Sequence, residues 1–253
     1  MPYALDYALR THAGLVRPLN EDAIGAEPHC GLFVLADGLG GYSAGEVASA
    51  MAVSAALTRL SSEWNEAGSQ GRPVGAAEVI HRTVGDINAS IYNAALNSAA
   101  FEGMATTLVI AWFLGDRLWA AHTGDSRLYR FRAGELEQLT RDHSFSQELL
   151  DAGMVTAEEA RLLPAKNLVT RALGASAEIE PEIQDYDVQP GDVLLLCSDG
   201  LTEMVGSFEI AGLLSIGEDD MHETARRLID LANEAGGRDN ISVILVQVLT
   251  ENG

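Results

Sequence analysis

The chain reads as an α+β protein, antiparallel sheets covered by helices, in one domain of 253 residues. Three features predict this. Between residues 106 and 139, four short apolar runs follow one another with turns of only a few residues, and connections that short force antiparallel pairing. Helix-period segments come in separated pairs instead of alternating with strands. The chain also opens and closes on strand-like segments, at 3–12 and 241–249.

Taken in order, residues 3–12 alternate loosely and Gly31 to Ala36 is a short apolar run, so both predict strands. Ser43-Ala44-Gly45-Glu46 has capping-box spacing, and Val47, Met51, Ala55 and Leu57 to Leu60 carry a helix to about residue 63. Asn65 to Gly75 is a polar, glycine-containing loop. Val79, Ile80, Val84, Ile87 and Ile91 then form one stripe of a second helix over 76–97. Strands follow at 106–114, 118–123, 127–132 and 136–139, with Gly115-Asp116 and Ala133-Gly134 as hairpin turns. Residues 144–166 form an inserted helical piece: Ser144 and Thr156 each start a capping-box spacing, and Gly153 stops the first helix. Strands return near 167–171, 179–187 and 192–197, followed by two helices. The second, over 221–235, pairs Glu223 with Arg227 and ends at Gly236-Gly237.

The formal net charge of −21 repels phosphate backbones and anionic lipid, which argues against nucleic acid and membrane surfaces as partners. Most of the excess acid solvates the outside; a minority is left to line a cation site. No apolar run approaches the ~20 residues that span a bilayer, and Met1 to Asp6 lacks the pattern of a secretory signal. Cys30 and Cys197 lie in or beside apolar runs and read as two buried thiols, so the expected compartment is the cytoplasm.

Four aspartates stand where apolar runs stop or start: Asp37, Asp125, Asp199 and Asp239. Convergent carboxylates repel one another unless a hard divalent cation with oxygen ligands joins them. Taken singly, each has a bland account as a turn residue, a helix start or the partner of Arg238. Asp37 is followed by Gly38-Leu39-Gly40-Gly41, where glycine lets a backbone carbonyl approach a ligand, so a cation could take the Asp37 side chain and the Gly38 carbonyl together. In the loop 14–22, Arg17 precedes Glu21 and Asp22 and could clamp a phosphoryl group with its planar fork.

Several rivals fail on spacing. Gly41-Tyr42-Ser43-Ala44-Gly45 matches the nucleophile elbow of a serine esterase, with His143 or His222 as base. However, five residues separate Asp37 from Ser43, and an elbow needs almost none; a helix cap explains Ser43 more simply. A cysteine phosphatase needs an arginine six residues after its thiol, where Glu203 and Ala36 stand here. No nucleotide P-loop occurs, and the histidines show no zinc spacing, which favours Mg²⁺ or Mn²⁺.

The ordered set Arg17-Pro18-Leu19-Asn20-Glu21-Asp22, Asp37-Gly38-Leu39-Gly40-Gly41, Gly103-Met104-Ala105-Thr106-Thr107, Gly124-Asp125-Ser126-Arg127, Asp142-His143-Ser144, Thr170-Arg171-Ala172-Leu173-Gly174, Ser198-Asp199-Gly200-Leu201 and Arg238-Asp239-Asn240 resembles the PP2C-type metal-dependent serine/threonine phosphatases, in their compact bacterial form. The resemblance covers nearly the whole chain. It implies a β-sandwich of two antiparallel sheets flanked by helix pairs, with a flap at about 144–170. It implies that Asp37, Asp199 and Asp239 hold one ion, that Asp37 and the Gly38 carbonyl hold a second, and that Glu21 and Asp22 act through water. Asp125 with Asp199 would hold a third, weaker ion, and Arg17 would bind phosphate. The implied reaction is hydrolysis of phosphoserine and phosphothreonine in proteins by a hydroxide bridging two Mn²⁺ or Mg²⁺ ions, opposing a Ser/Thr kinase, in a monomer. Leu39 and Tyr42 stand where relatives carry histidine, so water near Asp125 is the expected proton source for the leaving group. The alternatives are a silent phosphoprotein-binding relative, which would have no need of the three aspartates together, and the Ser43 esterase, which would survive chelation.

Overall fold

The computed structural model describes residues 3–40, 44–67, 75–163, 168–217 and 220–250. The expected Ser43 cap, Tyr42 and Gly41 lie outside these residues, as do parts of the 65–75 loop and the 144–170 insertion.

Two antiparallel sheets stack face to face. One has the order β1 (Tyr3–His12), β11 (Ile241–Thr250), β10 (Val193–Cys197), β7 (Arg127–Arg132), β8 (Glu135–Gln138). The other runs β2 (Asp22–Glu27), β3 (Leu32–Leu39), β5 (Leu108–Leu114), β6 (Arg117–Thr123), β9 (Glu182–Asp187), with the short β4 (Ala105–Thr106) also on β3. Phe33, Leu35, Val109, Phe113, Leu196 and Ile244 fill the space between the sheets. The alternate residues of β3 and β5 (Leu32, Val34, Ile110, Trp112) face outward beneath α1 (Ala44–Glu66) and α2 (Ala76–Asn97). Strands buried on both faces read as continuous apolar runs, which is why 108–114 and 241–246 show no alternation. On the far side, α6 (Ser207–Ile216) and α7 (Met221–Glu234) cover β10 and β11. Four layers result: helices, sheet, sheet, helices.

Four expectations need correction. β2 was not foreseen, because Asp22-Ala23-Ile24-Gly25-Ala26-Glu27 is poor in strand formers; Gly25 is there because a Cβ would come within 2.6 Å of Leu57 in α1. The run 106–114 is interrupted at Thr107, which donates its N–H to the Asp37 carbonyl. The three-residue link Gly124–Ser126 is no hairpin: β6 and β7 lie in different sheets, and the chain crosses between layers there. No strand forms at 168–171, only an isolated bridge between Ser144 and Val169. Elsewhere the expected elements form with shifted ends: the strand foreseen at 179–187 is β9, beginning at Glu182, a short helical turn precedes the two helices foreseen after residue 197, α1 is three residues longer, and both helices of the insertion are capped, by Ser144 and Thr156. These are α3 (Phe145–Asp151) and α4 (Ala157–Leu162). Both cysteines are free and buried.

Candidate active site

The predicted acids gather at one end of the sandwich. Asp37 lies within β3, and its partner across the ladder on β2 is Asp22. Like charges directly opposite destabilise a sheet, so this register needs a compensating charge. Asp199 opens the single helical turn α5 (Asp199–Thr202) at the end of β10, and Asp239 precedes β11, the strand beside it. Gly200 permits the approach, since a Cβ there would stand 2.0 Å from the Asn240 carbonyl oxygen. Asp125 sits buried on the link between the sheets.

Burial pushes the Asp37 carboxyl well above its ordinary range, and the charges of Asp22, Asp199, Asp125 and Asp239 add to the shift. Asp199 is raised in the same way, by burial first and then by Asp125, Glu203 and Asp239. Burial likewise takes Asp22 and Asp125 to about 6. Burial comes first in each case and neighbouring carboxylates add to it, so negative charge is gathered here with too little positive charge near it.

Asp22 Oδ2 accepts a hydrogen bond from Ser198 Oγ at 2.9 Å, but Asp22 Oδ1 is buried with no partner. A buried orphan acceptor is costly, and here it faces a cluster of further carboxylates. The site residues therefore fit hard divalent cations. The Gly38 environment also suits a close approach: a Cβ on Gly45, in the first turn of α1, would lie 2.9 Å from the Gly38 carbonyl oxygen and 2.8 Å from Glu21 Oε1. The second glycine of the supposed esterase elbow is thus a close-packing residue beside the acid cluster. Burial raises the Glu21 carboxyl too.

Arg17 is exposed, and its Nη2 donates to Asp239 Oδ2 at 2.6 Å, where the sequence suggested a phosphate clamp. Asn240 fixes the loop that carries it. Its Oδ1 accepts from the Glu21 N–H at 2.8 Å, and its Nδ2 donates to the carbonyls of Ala13 and Leu19 at 2.9 and 2.8 Å. Thr107 Oγ1 accepts from the Asp37 N–H at 2.9 Å and meets Ser126 Oγ at 2.7 Å, linking β3 to the Asp125 turn. Asn240, Thr107 and Ser198 stand in motifs read from the sequence, but nothing in residue type alone revealed these supporting roles. Glu203 was missed altogether: it lies one helical turn beyond Asp199 and acts electrostatically on both Asp199 and Asp125.

His143 braces the Asp125 turn from behind. Its N–H donates to the Gly124 carbonyl at 2.9 Å, and its Nδ1 accepts from the Gly124 N–H at 3.1 Å. Nε2 therefore carries the proton and donates to Glu182 Oε1 at 3.1 Å. His122 stacks on this ring at 4.8 Å and 8°, its Nε2 donating to the Arg141 carbonyl. The ligand atoms of His122, His143 and Glu182 all lie within 4.8 Å of one another, a grouping the sequence spacing had hidden. In this geometry, however, the rings are parallel and both Nε2 atoms are engaged as donors, so no lone pairs converge on a common point. The trio acts as a brace.

An αββα sandwich with a carboxylate cluster at one end defines a class of hydrolase built around divalent cations. The comparisons name that class. A family model described as Protein phosphatase 2C matches residues 16–245, and the chain belongs to that family. It is 42% identical over 245 residues to the serine/threonine protein phosphatase PstP of Mycobacterium tuberculosis, covering 97% of this chain and 45% of PstP, so it spans about half that relative's length. It is 38% identical over 248 residues to the serine/threonine phosphatase stp of Listeria monocytogenes, covering 96% of both. The crystal structure of the PstP catalytic domain in complex with two manganese ions matches with a TM-score of 0.85 and 40% identity, over 98% of this chain and 99% of that one. Among the described residues, no helix is long and apolar enough to cross a membrane.

Proposed function

We propose that this chain is a divalent-cation-dependent phosphatase that hydrolyses phosphoserine and phosphothreonine in proteins. One observation carries the reading: Asp22, Asp37, Asp125, Asp199 and Asp239, from separate strand ends, share one site, and burial with neighbouring carboxylates raises the carboxyl pKa values of the first four. Family membership and the manganese-bound PstP domain support it.

Asp37, Asp199 and Asp239 would hold one cation, with Asp37 and the Gly38 carbonyl serving a second and Asp125 with Asp199 a third. Asp22 and Glu21 would contact them through water. Divalent cations held there would supply Lewis acidity, activating water towards phosphorus and offsetting phosphoryl charge. Arg17 binds the phosphoryl oxygens, and its exposure leaves it free to exchange Asp239 for substrate. Ser198, Thr107 and Asn240 hold the acids in place. Leu39 has no proton to give, so protonation of the leaving alkoxide falls to water beside Asp125. The chain works as one phosphatase domain with the 144–170 segment as its flap, a monomer in the cytoplasm, opposing a Ser/Thr kinase.

Phosphopeptide turnover with Mn²⁺, Mg²⁺ or EDTA tests this directly. Activity should require added cation and vanish with EDTA. Absence of phosphopeptide turnover, with hydrolysis of a carboxylic ester that persists in EDTA and is abolished by Ser43→Ala, would instead establish the esterase.

A further inference from the structure

A groove of about 730 Å³ leads away from the acid cluster. Asp125, Asp199, Val205 and Phe208 line one wall of it, and Leu150 of α3 and Ala160 of α4 line the other. Its charge is partly neutralised within the wall, where Arg127 grips Asp142 through Nε and Nη2 at 2.9 and 2.6 Å. Phe208, the second residue of α6, is 90% exposed, the most exposed of the large apolar side chains among the described residues. It contributes nothing to the core that the rest of α6 builds through Ile210 and Leu214. An exposed phenylalanine on the rim of a cleft, continuous with the acid cluster, is the kind of aromatic anchor that interfaces use.

We propose that this groove receives the polypeptide flanking the phosphorylated residue, and that Phe208 contacts a large apolar side chain of that substrate. The inference rests on the phosphatase reading and specifies its substrate class: phosphoproteins carrying Leu, Ile, Met or Phe a few residues from the phosphoserine or phosphothreonine. Continuity fixes the occupant. Asp125 and Asp199 belong to both the groove and the acid cluster, so a chain whose phosphoryl group sits at the cluster has its flank at the groove. The far wall, α3 and α4, is short and little buried, so its side chains are available to the same segment.

The test is a phosphothreonine peptide set in a glycine-serine background, with one leucine moved through each flanking position, assayed with Mn²⁺ on wild type and on Phe208→Ala. The wild type should prefer leucine at one or two positions on one side only. Phe208→Ala should cut that preference, as a ratio of kcat/KM values, about tenfold through KM, and Phe208→Leu should restore most of it. A flat positional scan, or a preference that Phe208→Ala leaves intact, overturns the inference while the phosphatase reading stands. No turnover of any peptide or of p-nitrophenyl phosphate overturns both. Sedimentation provides a further check: a wild-type dimer that Phe208→Ala makes monomeric would show Phe208 to be a self-association contact and would overturn the substrate assignment.

Discussion

The two walls of the groove are built in opposite ways. On one side, Asp125 and Asp199 hang from β6, β7 and β10, with every residue of β10 buried and its ladder completed by partners far off in sequence. On the other, α3 buries nothing and α4 buries only Ala160 among its described residues; these helices are held by Ser144, by the Thr156–Glu159 capping box and by an Arg141–Asp151 ion pair. The first wall stores electrostatic repulsion that only a rigid scaffold can hold, whereas the second costs little to rearrange. Chemistry that demands placement to a fraction of an ångström sits on the first, whereas the second, across the groove from Phe208, can adjust to the segment held there.

The largest effects should come from breaking the rigid wall's charge cluster. Asp37→Asn or Asp239→Ala should lower phosphopeptide turnover by about three orders of magnitude or more. For Asp37→Asn, the cation-free melting temperature should rise at neutral pH, because a repelling carboxylate has gone. A loss of both activity and cation-free stability would mean that Asp37 is structural and that the comparison fails.

Next comes pH. Asp22 and Asp125, raised to about 6, bind protons more tightly folded than unfolded. The stability that these two groups contribute to the cation-free protein should therefore be full in acid and be lost as pH climbs from the unfolded value of about 4 through about 6. Added Mn²⁺ should raise the melting temperature more at pH 7.5 than at pH 5. Calorimetry at the two pH values, with and without Mn²⁺, decides this; an equal gain would contradict the charge-deficit account.

Asn240→Ala removes three hydrogen bonds and leaves the Glu21 N–H without its partner, at a cost of about 1–3 kcal/mol. Denaturant midpoints should fall, and cation affinity, read by titration calorimetry, should fall with them. Arg17→Ala should raise KM about tenfold with little change in melting temperature, since its ion pair is solvent-exposed. The smallest effect belongs to the flap: Met154→Ser, at an exposed position, should change stability by less than the ~0.5 kcal/mol typical of surface changes. A marked destabilisation there would show the second wall to be more tightly built than its burial indicates.

The sequence was most legible where a local rule operates. Thr156 and Glu159 spell a capping box within four residues, and the stripe from Val79 to Ile91 specifies α2 without help from elsewhere. It was least legible where a residue's role depends on a distant neighbour. Gly25 in β2 reads as a strand breaker until α1 packs upon it, Glu203 has no marked context until α5 turns it towards Asp199 and Asp125, and His122 meets His143 only because β6 and the flap root converge.

By itself, then, the order of residues determined the helices, most strands, the apolar faces and the set of acids whose recurrence names the chemistry, because propensity, periodicity and capping act over a few residues. Only the assembled sandwich decided that Asp22 would face Asp37 across a ladder, that a three-residue link would carry Asp125 from one sheet to the other, and that Arg17 would reach Asp239. Strand pairing joins residues hundreds of positions apart, and the electrostatic character of a carboxylate is set by the burial and charges it meets there.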